Sequence, residues 1–170
     1  MKYSADASAF IVAWNDDYPP DVFPDIWKLL ERSIKSGDLR ATEEVLKEIE
    51  QKDDDVCKWA QEHSELFVSI DEVVQEAARD ILKDHPDLIK PKLDRPQADP
   101  YVIALAKING ASVVTNEKPN SPDQRKITQI PSVCSRIQVP CIRLIGMMRE
   151  QGWRFIRACD YGSTEEEVGR

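Results

Sequence analysis

Short apolar runs that alternate with helical patterns leave this chain few folds to choose from. Lys2 to Ala5 reads as a short buried strand, and Ala9-Phe10-Ile11-Val12-Ala13-Trp14 begins a helix after it. Pro19-Pro20 and Pro24 bracket a loop. Pro24 suits a first helical turn, and Ile26, Trp27, Leu29, Leu30 and Ile34 recur at three- and four-residue spacing until Gly37 stops the helix. Asp38 to Ala41 is a second short strand, followed by Thr42, whose hydroxyl is expected to cap the next helix by accepting from an early N–H. Gln51 to Ser64 is polar with Trp59 as an anchor, Leu66 to Val68 is a minor strand, and Asp71 caps a helix through about Lys83. Pro86, Pro91 and Pro96 mark a loop. Ala98 to Ile108 forms a helix that ends before Asn109-Gly110 and leads into the strand Ala111 to Thr115. Lys118 to Ser132 reads as a polar loop with three prolines, and Val139 to Leu144 as a last strand before a short helix. This alternation predicts an α/β fold, a three-layer α/β/α sandwich with a mostly parallel central sheet covered on both faces.

A chain of 170 residues with 41% apolar content suits one domain, large enough to bury about 70% of the surface its unfolded chain would expose. We assign residues 1–158 to that domain and 159–170 to a polar tail expected to be flexible. No run of about 18 apolar residues offers a membrane span, and the first residues lack the apolar stretch of a signal peptide, so a cytoplasmic location is expected. Cys57, Cys134, Cys141 and Cys159 are widely spaced, with no Cys-x-x-Cys pair and no neighbouring histidine, which points to reduced, mostly buried thiols. The formal charge of −8 argues against a protein that coats nucleic acid. Charge is unevenly spread, however: between Lys118 and Arg157 eight basic residues, Arg125 and Lys126 among them, meet only Asp123 and Glu150. That stretch either holds phosphates near an acidic centre or is a set of solvated arginines offsetting an acidic middle.

Four acidic positions carry the functional signal: Asp6 after the first strand, Glu48 on the helix after Thr42, Asp99 at a helix start, and Glu117 after the strand Ala111 to Thr115. In a parallel α/β sheet the carboxyl ends of the strands share one edge, where ligands collect, and Asp6 and Glu117 fall there. Glu44 and Glu48 share a helix face, so Glu44 is the fallback for Glu48. Asp53-Asp54-Asp55 reads first as a solvated run or a helix cap. Several carboxylates in one site repel unless cations are shared among them, and Mg²⁺ or Mn²⁺ prefer such oxygen ligands. Taken singly, each acid is more often a cap, a turn former or a solvated side chain than a ligand; it is their order and spacing together that point to a site. Trp14, Trp27, Trp59 and Trp153 read as core anchors rather than base-stacking platforms.

In order and spacing the motifs resemble those of PIN-domain ribonucleases, in particular the PIN-like toxins of toxin–antitoxin pairs. The matching positions run over roughly residues 1–145: Asp6-Ala7-Ser8 after a strand, Thr42 six residues before Glu48, Asp99-Pro100-Tyr101-Val102-Ile103-Ala104-Leu105-Ala106 opening a helix, and Val113-Val114-Thr115-Asn116-Glu117. In the last motif Glu117 stands where the family has Asp, and Lys118-Pro119 replaces the usual Asp-Phe. The resemblance implies that Asp6, Glu48, Asp99 and Glu117 bind one or two Mg²⁺ or Mn²⁺ ions. Thr115 or Ser8 would support them by hydrogen-bonding a water or a phosphate oxygen. It further implies an RNA substrate, a cognate antitoxin protein whose apolar or basic segment fills the acidic cleft, and pairing into a homodimer. Neither His63 nor His85 is required. Two other classes stay open: a catalytically inert PIN-like binding module for protein or RNA, suggested by Glu117, and a phosphate-accepting signalling domain, which normally wants an acidic pair after the first strand.

Overall fold

The computed structural model describes residues 1–89, 96–123 and 129–155. Arg125, Lys126, Arg157, Pro91, Cys159 and the tail 159–170 lie outside the described residues.

Five short strands form one all-parallel sheet: β1 (Tyr3–Ala5), β2 (Leu39–Thr42), β3 (Phe67–Val68), β4 (Ser112–Val114) and β5 (Cys141–Ile142). Their order is β3-β2-β1-β4-β5. Register is set at the centre, where Ser4 faces Arg40 on one side and Val113 on the other. Every residue of β1 is buried, the mark of a strand covered on both faces. Ser4 avoids the cost of a buried hydroxyl by donating to the carbonyl of Val102 at 2.9 Å. The fold is therefore a three-layer α/β/α sandwich.

The helices are α1 (Ala7–Val12), α2 (Pro24–Lys35), α3 (Glu43–Ile49), α4 (Asp55–Glu62), α5 (Glu72–Asp84), α6 (Asp99–Asn109), α7 (Ile130–Ile137) and α8 (Leu144–Glu150), with a π-helical turn at Ala13–Asp17. α6 is the central one, packing on β1, β2, β4 and α5. Val102, Ile103, Ala104, Leu105 and Ala106 are all buried in it, so it shows no polar stripe, and Gly110 ends it in the left-handed region at φ 60°. α2 begins at Pro24 and buries Ile26, Trp27, Leu30 and Ile34, as their spacing predicts.

Phe10, Trp14, Trp27 and Trp59 form one aromatic cluster at the core. Trp27 meets Trp14 at a ring separation of 4.6 Å and Trp59 at 4.9 Å, both edge-on, and Phe10 lies 5.6 Å from Trp59. Such pairs add about 0.5–1.5 kcal/mol each beyond area burial. Cys57 and Cys134 are buried and Cys141 half-buried, all reduced.

Three sequence expectations need correction. Thr42 occupies the N-cap position of α3 but makes no side-chain cap bond; its hydroxyl is buried and unpartnered among the described residues. The polar stretch around Trp59 contains α4, capped by Asp54, whose Oδ1 accepts from the amide of Cys57 at 3.1 Å. The loop expected as far as Ser132 gives way at Ile130 to α7, with Pro131 in its first turn. Proline is tolerated there because that N–H has no intrahelical partner to lose.

Candidate functional site

Strand order reverses between β1 and β4, since β2 and β3 lie on one side of β1 while β4 and β5 lie on the other. In a parallel sheet the chains leaving two such strands diverge, opening a crevice at their carboxyl ends. Asp6 follows β1 directly and Thr115 follows β4 directly. The crevice holds a cleft of about 300 Å³, lined among the described residues by Asp6, Glu48, Asp54, Asp99 and Glu117, with Lys52 beside them.

The β1–β4 wall is built around Asp6. Its backbone N–H donates to the carbonyl of Val114 at 2.9 Å, and its side chain caps α1 by accepting from the amide of Ser8 at 3.2 Å. The hydroxyls of Ser8 and Thr115 both donate to the same Asp6 oxygen, Oδ2, Thr115 at 2.9 Å. Each hydroxyl has one proton to give, so the 3.1 Å between their oxygens reflects a shared acceptor. Their lone pairs are used as well. Ser8 Oγ accepts from the amide of Asn116 at 3.0 Å, and Thr115 Oγ1 from the amide of Glu117 at 3.1 Å. A chain of bonds thus runs from the Asp6 carboxylate through two hydroxyls to the backbone that carries Glu117. Asp6 is 3% exposed. Burial pushes its carboxyl above the ordinary carboxylate range, and the hydrogen bonds from Ser8, Thr115 and the backbone offset only part of that.

The facing wall comes from helices. Glu48, near the end of α3, accepts from the amide of Ala98 at 2.8 Å through Oε1. Ala98 is the N-cap of α6, so Glu48 holds the helix start that presents Asp99. Glu117 reaches α7 in the same manner, Oε2 accepting from the amide of Ile130 at 2.8 Å. Carboxylates are favoured at helix starts, where N–H groups lack intrahelical acceptors.

A family model described as a domain of unknown function, DUF4411, matches residues 3–155. The chain belongs to this family. No curated protein matches it. Among solved structures, the chain is similar to the crystal structure of VapBC2 from Rickettsia felis bound to a DNA fragment from their promoter. That likeness has a TM-score of 0.49 and 15% identity, over 84% of this chain and 98% of that one.

Within the DUF4411 match, Asp6, Ser8, Glu48, Asp99 and Glu117 line one cleft, and Thr115 joins them through its bond to Asp6. Glu44 is not among the lining residues and pairs with Lys47 at 2.6 Å. Asp54 both caps α4 and lines the cleft. The sequence offers the run Asp53-Asp54-Asp55 first as solvated or as a cap, because a run of acids before a helix carries no sign of which member turns inward. His85 is buried and His63 stacks on Trp59 at 4.9 Å, so neither histidine lines the cleft.

The donor chemistry of the cleft suits a hard divalent cation, since among the described residues carboxylate oxygens line it and no thiol or imidazole does. The side-chain placement is a different matter. Among the described residues no group of three or more His, Cys, Asp or Glu is arranged to hold a metal ion. Glu48 and Glu117 each turn one oxygen to a backbone amide instead.

Proposed function

We propose that this protein is a metal-dependent endoribonuclease, the toxin of a toxin–antitoxin pair, hydrolysing RNA phosphodiester bonds in the carboxylate cleft. One observation carries this reading: carboxylates from the end of β1, from α3, from α6 and from the segment after β4, far apart in sequence, line a single cleft at the strand-order reversal. The helix-start contacts of Asp6, Glu48 and Glu117 account for each acid singly but not for their sharing one cleft, where like charges oppose one another.

Asp6, Glu48, Asp99 and Glu117 would hold one or two Mg²⁺ or Mn²⁺ ions, Glu48 and Glu117 by exchanging present contacts for the ion. A bound ion supplies a water acidic enough to attack and offsets charge on the phosphate. The chain's own part is positional. Ser8 and Thr115 fix the Asp6 carboxylate and the backbone before Glu117 in one network, which holds two of the four acids at a set separation. Burial of Asp6 makes its ionised form costly unless a cation stands near, and this couples ion uptake to deprotonation. A cleft this acidic also suits inhibition by a basic antitoxin segment laid into it.

A second reading, an inert binding module, is favoured by the amide bonds of Glu48 and Glu117. The phosphate-acceptor reading is weaker, as Oδ2 of Asp6 already takes three donors. Labelled single-stranded RNA incubated with Mn²⁺ separates the first two. The nuclease reading expects cleavage that EDTA and Asp99→Asn each abolish. A folded protein that leaves the RNA intact at every Mn²⁺ concentration supports the binding module.

A further inference from the structure

Beside the acidic cleft lies a second cavity of about 470 Å³, and the two share Glu117. Its character is opposite. Lys118 and Arg143 bring two positive charges to its wall, and Pro119, Pro131 and Ile142 give it apolar surface. Arg143 is tied to the site from behind: its Nε donates to Oδ1 of Asn116 at 2.7 Å, and the Asn116 amide in turn donates to Ser8. A second guanidinium nitrogen donates to Oδ2 of Asp17 at 3.1 Å. Those contacts use two of the five N–H donors of a guanidinium. The pair with Asp17 is 58% and 36% exposed, and exposed pairs of this kind are worth at most about 1 kcal/mol. A phosphate, able to engage the guanidinium through two parallel bonds, competes well for it.

We propose that this cavity binds the nucleotide next to the scissile phosphate of a single-stranded RNA, with Arg143 and Lys118 on its phosphate and Pro119, Pro131 and Ile142 against its base. The proposal rests on the reading of the carboxylate cleft as a nuclease site. A strand crossing Glu117 would then pass from a region that needs cations to one that supplies them. This juxtaposition explains how a chain of net charge −8 holds a polyanion at all. It also gives Asp17 a role, that of a resident carboxylate which the phosphate displaces.

The test measures the affinity of a short fluorescein-labelled single-stranded RNA by anisotropy, at low salt in EDTA, where metal-dependent cleavage does not occur. Arg143→Gln is expected to weaken binding about tenfold, the size of one charge-assisted hydrogen-bonded contact. It should also flatten the salt dependence by about 0.7 in log–log slope, one phosphate contact on a single strand. Lys118→Gln should act in the same direction. Asp17→Asn, which releases Arg143, should tighten binding about threefold. Lys83→Gln makes the same change in net charge as Arg143→Gln, but on the exposed face of α5, and should bind as wild type. Equal affinities for Arg143→Gln, Lys83→Gln and wild type would overturn the proposal, as would wild type with no measurable affinity. If cleavage with Mn²⁺ fails while Arg143-dependent binding persists, the nuclease reading falls and the nucleotide site stands. If cleavage proceeds while binding is indifferent to Arg143, the nuclease stands and the nucleotide site falls.

Discussion

The two walls of the acidic cleft are built on different principles. On the β1–β4 side, Asp6, Ser8 and Thr115 are joined to one another and to the backbone before Glu117 by hydrogen bonds that use the hydroxyls as both donors and acceptors. On the facing side, Glu48 accepts from the amide of Ala98 at the start of α6. The first wall is a carboxylate and two hydroxyls joined directly to one another; the second sets a carboxylate from one helix on the start of another. A site of this kind can keep one half rigid and let the other adjust to a ligand, and it predicts unequal responses to mutation.

The largest difference comes from Thr115→Val. The change preserves shape but removes a donor from a buried carboxylate and an acceptor from the Glu117 amide, so we expect a loss of about 2–3 kcal/mol in urea unfolding. A cost near that of a surface substitution would show that the network is not the rigid half. Asp6→Asn should act in the opposite direction. Because burial holds the folded-state carboxyl above its unfolded value, the neutral form is favoured by folding. Its contribution is full at low pH and is lost as pH rises through the raised folded value, so ionised Asp6 weakens the metal-free protein near neutrality. Without divalent ions, Asp6→Asn should melt higher than wild type at pH 7, and the gap should close towards low pH. A lower melting temperature at pH 7 would mean that hydrogen bonding outweighs burial.

Glu48→Gln tests the other wall. Its carbonyl oxygen can still accept from Ala98, so the stability cost should stay within about 1 kcal/mol while Mn²⁺-dependent cleavage is lost. Glu44→Gln should do least. It breaks an exposed pair with Lys47 worth about 0.5 kcal/mol or less and should leave cleavage unchanged. Reversal of the two glutamates would reassign the site residue on α3.

Residue identities were more legible than contacts. The alternating pattern yields the parallel sheet because central strands such as β1 are too short and too buried to be anything else. Asp6 and Glu117 are placed by the rule that strand carboxyl ends share an edge, which needs no side-chain detail. The expected Thr42 cap fails although the backbone is extended as an N-cap requires: the hydroxyl is buried without making the bond, a matter of side-chain placement that the sequence does not carry. The missed α7 was in fact written in the sequence: Ile130, Val133, Cys134 and Ile137 keep helical spacing, but Pro131 resembles a loop signal unless it is read as a first-turn residue. The amide bonds of Glu48 and Glu117 have no sequence signal, since they join segments 50 and 13 residues apart through backbone groups that every residue carries.

If these carboxylates hold a hard divalent ion, titration calorimetry of the purified, metal-free protein with Mn²⁺ detects its uptake. We expect saturable binding by wild type and its loss in both Asp6→Asn and Asp99→Asn, with each variant still folded by circular dichroism. A folded wild type that takes up no Mn²⁺, or an Asp99→Asn variant that binds it equally well, would contradict the account.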